Sequence, residues 1–383
     1  MRSRPWLLLL PLLLASTTTS AAPPTWDPKS THALIVGLVE WKNKQFASFP
    51  KKGRQDRELE RAIIAAGVPR ANVVSLIDRE ATYDAIKREW SQMAARSGEG
   101  STLLFYFTGH GGASGAEIYL CDYDSKPDCV GDAMNVEEVG DILRKKKWAG
   151  DRLILMGDMC HSGGMARVVR SFEGHERIKA ALLASATFSN ISTGNWTFTE
   201  ALISAFRGDP AVDLNRDGRI SFSEIDDYGY REMRFRESQL SRAARTSTFE
   251  MVRFALRDVD GEPLPELPGQ WQVNDYVEVK GPRRWIPARV TGFEKGKYHV
   301  RFMGAIERPD DWVTPDRLRA RPGGWAKPDQ TVEVLLEKKW HKARVDRVDD
   351  DYFYFIQYDD LSAAWSEWVT ADRMRRLGGA RRP

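Results

Sequence analysis

Five short, nearly continuous apolar runs punctuate the first two thirds of the chain: 32–39, 72–78, 101–107, 152–156 and 181–187. Each is bounded by glycine or polar residues and is too short for an independent helix, which predicts buried strands. Helical periodicity falls between them. Asp56 to Ala66 puts Leu59, Ala62, Ile63 and Ala66 on one face, Thr82 can cap a helix carrying Ile86, Trp90 and Met93, and Asn135-Val-Glu-Glu138 has a capping-box pattern. Strands rich in continuous apolar sequence and alternating with helices predict an α/β fold, a mostly parallel sheet sandwiched by helices. In such sheets functional side chains gather beyond the carboxyl ends of the strands.

The pattern changes after residue 258. Residues 259–270, with three prolines and two glycines, have no helical or strand period and read as a linker. Beyond it Val279, Trp285, Ala288-Arg-Val290, Trp312-Val-Thr314 and Arg317 recur as Val334, Trp340, Ala343-Arg-Val345, Trp368-Val-Thr370 and Arg373. Two copies of short alternating segments separated by tight turns predict two small all-β barrels, at 271–322 and 325–377.

Composition adds two constraints. Arg2 and Arg4, an apolar stretch from Trp6 to Ala15 and small residues up to Ala22 have the order of a secretory signal, so 1–22 predicts export to a periplasmic or extracellular compartment. That stretch is too short to span a bilayer, which needs about 20 residues. Removing the two signal arginines lowers the formal charge from +3 to +1, which gives no reason to expect a nucleic-acid partner. The chain has three cysteines. Cys121 and Cys129 bracket a short polar loop, and a disulfide between them would leave Cys160 as a free thiol; the other reading keeps all three as thiols.

Cys160 ends the run beginning at Arg152, and His110, flanked by glycines, ends the run beginning at Ser101. If those strands are neighbours, the imidazole can activate the thiol for attack on a carbonyl. Gly111, Gly112, Gly163 and Gly164 would let backbone N–H groups approach a developing oxyanion. His161 competes as the base, but adjacent side chains in an extended segment point apart.

The segments Leu103-Leu-Phe-Tyr-Phe-Thr-Gly-His-Gly-Gly112 and Leu153-Ile-Leu-Met-Gly-Asp-Met-Cys-His-Ser-Gly163 resemble the two signature blocks of the caspase-like cysteine peptidases, metacaspases above all, over about residues 31–258. The resemblance implies Cys160 as nucleophile, His110 as general acid/base, and the N–H groups of Gly111 and Cys160 as oxyanion hole. It also implies an acidic pocket for the side chain before the cut, built from Asp158 and Asp56, with Thr108 replacing the family's usual serine. Two carboxylates there would favour Arg or Lys. The arginine with which caspases read aspartate would fall near Pro50. By the same resemblance, Met165 to Lys179 corresponds to a loop that many relatives cut during activation.

Asp213-Leu-Asn-Arg-Asp-Gly-Arg-Ile-Ser-Phe-Ser-Glu224 matches the EF-hand calcium loop: oxygen ligands from Asp213, Asn215, Asp217, the Arg219 carbonyl, Ser221 and Glu224, with a turn at Gly218. Inside a peptidase-like segment such a Ca2+ ion would be structural. The two repeats resemble Tudor/agenet-type SH3-like barrels, a likeness that implies aromatic cages, from Trp285, Tyr298, Phe302 and Trp312 in one and Trp340, Tyr354, Tyr358 and Trp368 in the other. Their ligand would be a protein or a surface polymer. Taken together, these features predict an exported cysteine endopeptidase acting on protein or peptide. The rival is a catalytically silent binding protein whose barrels do the work.

Overall fold

The computed structural model describes residues 26–127, 129, 132–282, 284–304 and 309–378; the signal-like segment 1–22 lies outside them. In chain order the first part forms β1 (Thr31–Gly37), α1 (Asp56–Ala65), β2 (Val73–Ile77), α2 (Tyr83–Arg96), β3 (Thr102–Thr108), β4 (Gly111–Ser114), β5 (Glu117–Leu120), β6 (Met134–Asn135) and α3 (Glu137–Lys145). It continues with β7 (Arg152–Asp158), α4 (Ala166–Arg170), β8 (Lys179–Ala184), α5 (Thr197–Arg207), β9 (Arg219–Ser221), α6 (Phe222–Glu237), β10 (Arg242–Arg245) and β11 (Ala255–Asp258). Six of these strands make the central sheet, in the order β2-β1-β3-β7-β8-β10. All its pairs are parallel except β8–β10, which is antiparallel.

Successive residues of a strand face opposite sides of a sheet, and here both sides are dry. Leu34 and Val36 of β1 join a core with Ile86 and Trp90 of α2 and Val168 of α4. Ala33 and Ile35 face the other way, into a core with Leu59 of α1, Leu202 of α5 and Ile225 of α6. This two-sided burial explains why β3 is buried at all seven positions and reads as an unbroken apolar run. The Thr82 hydroxyl accepts from the Ala85 N–H and caps α2 as expected. A three-stranded sheet, β4-β5-β6, extends the carboxyl side. Beside it a disulfide joins Cys121 and Cys129, with Cα atoms 5.5 Å apart, and Cys160 is free.

After Asp258 come two β modules. The first has β12 (Tyr276–Lys280), β13 (Trp285–Glu294), β14 (Lys297–Phe302), β15 (Asp311–Val313) and β16 (Leu318–Ala320). The second has β17 (Thr331–Leu336), β18 (Lys339–Asp349), β19 (Phe353–Tyr358), β20 (Glu367–Thr370) and β21 (Met374–Arg376). Strand order is the same in both, as is the position of the register shift, after Val290 in β13 and after Val345 in β18. The expected class, a helix-sandwiched and mostly parallel sheet followed by two small all-β units, is the one observed.

The modules are not beads on a string. Phe235 and Leu240, at and beyond the end of α6, share a buried cluster with Tyr352, Phe353, Phe355 and Trp368 of the second module. Arg234 of α6 is buried in this seam, its guanidinium 4.1 Å from the Phe353 ring centroid and bonded to both Asp349 and Asp350. Arg289 of the first module forms a buried ion pair with Glu232 of α6. Among the described residues no helix is long and apolar enough to cross a membrane.

Candidate active site

β3 and β7 pair in parallel with Thr108 opposite Asp158. Both strands stop at that rung, so the residues two steps on, His110 and Cys160, emerge next to one another beyond the carboxyl edge. Both line one cavity of about 30 Å3, together with Thr108, Asp158 and Ser192. A Cβ at Gly111 would strike the carbonyl oxygen of Cys160. The two loops thus touch through their backbones, and only glycine allows it.

The His110 ring lies among Trp41, Phe46 and Phe49, at centroid distances of 4.5, 5.4 and 4.7 Å. Its Nε2 is 2.7 Å from the Ala47 carbonyl oxygen. A carbonyl can only accept, so Nε2 carries the proton and the lone pair of the neutral ring is on Nδ1. Burial lowers the pKa of His110, an effect the Ala47 bond opposes. The ring is therefore neutral at rest, with a nitrogen ready to take a proton.

Cys160 is half-buried. Its Sγ accepts a hydrogen bond from the Ser192 N–H at 3.3 Å, and the Ser192 carbonyl lies 3.8 Å away. Burial raises the thiol pKa; the backbone bond from Ser192 opposes the rise and the nearby Asp158 charge adds to it. No hydrogen bond joins Sγ to His110. The resting pair is a thiol and a neutral imidazole under a loop, Phe188 to Trp196. His161 does not line this cavity: its backbone is left-handed, φ 61°, and its ring turns to the Phe188 carbonyl, with Nδ1 2.8 Å away.

The two acids expected to form one pocket have separate fates. Asp158 lines the cavity, 6% exposed, and its Oδ2 accepts from Thr199 Oγ1 at 2.6 Å. Thr199 in turn shares a 2.6 Å bond with the Tyr106 hydroxyl. Burial raises the Asp158 carboxyl to about 6 against the opposing Thr199 and Ser185 bonds. Asp56 does not line the cavity. Arg54 clamps both its oxygens, Nε to Oδ1 at 2.9 Å and Nη2 to Oδ2 at 2.6 Å, and reaches Asp78 at 2.7 Å. The expected pair of free carboxylates is corrected to one, because a bidentate guanidinium already neutralises the other. Arg54, Ser192, Thr199 and Tyr106 were not among the expected site residues; the one sequence signal was Arg54, two residues before Asp56.

The Met165 to Lys179 segment is also corrected. It is not an extended exposed loop: α4 opens it, and Val168, Val169 and Phe172 are buried. Arg170, Ser171 and 173–177 are its exposed residues.

In the EF-hand-like loop, Asp213 accepts from the Asp217 and Gly218 N–H groups, Asn215 from the Asp217 N–H, and Asp217 from the Arg219 N–H. Arg216 and Gly218 take the left-handed turns, and Ile220 pairs with Arg257 of β11. Carboxylates and an amide oxygen at this spacing are the donor chemistry of a hard cation. Glu224 ties the loop's end to its start: one carboxylate oxygen accepts from the Asn215 N–H, and the other caps α6, accepting from the Ser221 N–H and hydroxyl. Among the described residues no three His, Cys, Asp or Glu side chains form a group able to hold a metal.

The aromatic cages are not built. Trp285 is covered by the Arg319 guanidinium and Trp340 by that of Arg375, each at 4.2 Å. Tyr298, Phe302, Tyr354, Tyr358 and Trp368 are buried. Trp312 alone of the eight is well exposed, 42%, and lies against His299 at 4.7 Å. These rings fill cores or stack on the chain's own arginines, which corrects the expected cages.

No family model matches the chain, and no curated protein matches it. Among solved structures it is similar to protein GSU0716 from Geobacter sulfurreducens, with 16% identity and a TM-score of 0.41 over 60% of this chain and 99% of that one. It is also similar to the Drosophila initiator caspase Dronc, with 10% identity and a TM-score of 0.39 over 62% of this chain and 88% of that one. At scores this low, neither likeness adds to what the site's own geometry shows.

Proposed function

We propose that this chain is an exported, caspase-like cysteine endopeptidase. The observation that supports it most is the shared rung of β3 and β7, which sets a thiol and an oriented neutral imidazole into one cavity. Cys160 Sγ attacks the peptide carbonyl while His110 Nδ1 takes the thiol proton. The N–H groups of Gly111 and Cys160 stabilise the oxyanion. Collapse of the tetrahedral adduct breaks the C–N bond, and His110 returns the proton to the leaving amine. A water, deprotonated by His110, then attacks the thioester; the acid product leaves and the thiol is restored.

Asp158 is the carboxylate that would read a basic side chain before the cut. With Asp56 held by Arg54, its discrimination against neutral side chains would be narrower than two acids give. A cavity of about 30 Å3 holds about one or two waters, so the Phe188 to Trp196 loop must move before any such side chain enters. The EF-hand-like loop would take Ca2+ through Asp213, Asn215, Asp217, the Arg219 carbonyl, Ser221 and Glu224, with Glu224 giving up its bonds to Asn215 and Ser221. A chelator-sensitive melting temperature tests that directly. For the peptidase, peptide reporters ending in Arg, Lys, Gln or Leu should be cut by the full chain, basic ones fastest. Unchanged hydrolysis by Cys160→Ala would overturn the assignment, and no hydrolysis by the parent chain would favour the silent binding protein.

A further inference from the structure

A second cavity, larger than the catalytic one, touches the catalytic loop from behind. It encloses about 600 Å3 between the free edge of the central sheet and the second β module, within the size range of ligand sites. Residues 187–190 form part of its wall, and the next residues of the same loop, 192–196, line the catalytic cavity. Four arginines line it and one acid does: Arg167 and Arg170 from α4, Arg242 from β10, and Arg347 beside Asp346 from β18.

Two of these charges are compensated. Arg167 pairs with Glu137 at 3.2 Å and Arg347 with Asp346 at 3.4 Å. Arg170 and Arg242 are exposed and make no salt bridge among the described residues; Arg242 has only a through-space attraction to Asp226. Charged side chains on a terminal strand commonly guard its edge against pairing. That role needs charge on the strand alone. Here α4 contributes the other uncompensated guanidinium, so two elements line one space with unpaired cations and β18 adds a paired one.

The shape adds a second constraint. β10 is the terminal strand, paired only with β8, and Ala243 and Ala244 lie between its two arginines. An unpaired strand edge lets a peptide backbone dock alongside it.

We propose that this cleft is an exosite for an extended, acidic peptide segment, laid along the outer edge of β10 with its carboxylates on Arg170 and Arg242. The proposal rests on the peptidase reading in one respect, that the segment belongs to a protein substrate. It implies that preferred substrates carry an acidic stretch apart from the scissile bond, which raises their effective concentration at Cys160.

The test measures binding without catalysis. Full-length Cys160→Ala protein is titrated against a fluorescent twelve-residue peptide of alternating Glu and Ala, the same peptide with Gln for Glu, and a single-stranded oligodeoxynucleotide of equal charge. The Glu peptide should bind at least tenfold more tightly than either other probe. Arg170→Glu with Arg242→Glu should weaken it at least tenfold while the melting curve is retained; if that pair unfolds, Arg170→Gln with Arg242→Gln is read in the same way. Equal affinity of the Gln peptide, preference for the oligonucleotide, or indifference to the substitutions overturns the exosite. Loss of reporter hydrolysis bears only on the peptidase reading, because the binding measurement uses a chain without the nucleophile.

Discussion

His110 and Cys160 are each moved by burial toward their neutral forms, and this sets the expected pH profile. Protonation of His110 removes the base, and its lowered pKa puts the acid limb of kcat/KM below the ordinary imidazole value of about 6.5. The raised thiol pKa extends the plateau beyond the ordinary thiol value of about 8.5. A narrow bell centred near pH 6 would contradict a neutral resting pair. Asp158 sets a second dependence. Its folded pKa, about 6, exceeds the unfolded value of about 3.9. Its contribution to stability is fully present below the unfolded value and is lost as pH rises through about 6. Asp158→Asn should therefore melt higher than the parent at pH 7.5 and nearly level with it at pH 4, a difference on the order of 2–3 kcal/mol, while losing preference for basic substrates. Calorimetry at the two pH values checks it. The chemistry of these residues was legible in the sequence because each ends an apolar run, His110 between two glycines and Cys160 just before Ser162-Gly-Gly164. The Arg54 clamp was not, since the side chains that share a buried carboxylate are decided by packing in three dimensions.

At the scale of elements, the site depends on register. Because Thr108 and Asp158 share a rung, any shift between β3 and β7 would part the two loops. Gly111 tests that contact: Gly111→Ala would push its Cβ into the Cys160 carbonyl, and kcat/KM should fall at least a hundredfold while circular dichroism stays native. Activity within threefold of the parent would mean that the contact is dispensable. The strands were readable because sheets buried on both faces produce continuous apolar runs. The repeat was readable too. What the repeat could not reveal was that Glu278–Arg319–Trp285 in one module and Glu333–Arg375–Trp340 in the other are matching internal stacks. An aromatic at a cage position and one serving as a platform for its own arginine look the same in a sequence.

For the whole molecule, the seam along α6 decides how its parts may be separated. Phe235, Leu240 and the buried Arg234 form their environment with the second module, so cutting the chain at Trp271 would expose apolar surface and leave a cation without its carboxylates. Deleting 271–383 should lower the melting temperature by at least 10 °C or cause aggregation. A truncated protein as stable as the full chain would show that the seam carries little energy. From sequence α6 looked like a helix flanking a calcium loop, and nothing marked its far side as an interface: the residues that complete that core lie more than a hundred positions away.

The loop over Cys160 has a consequence for how long the thiol would last in an oxidising compartment. Only the thiolate is readily oxidised or alkylated, and here burial keeps the sulfur a thiol against the opposing bond from the Ser192 amide. An open, ionised cysteine would be far more susceptible to peroxide. This one should react with iodoacetamide at neutral pH more slowly than free cysteine, and faster once a peptide has drawn the loop aside. Its shelter from oxidants and its delay in accepting substrate would then be one property.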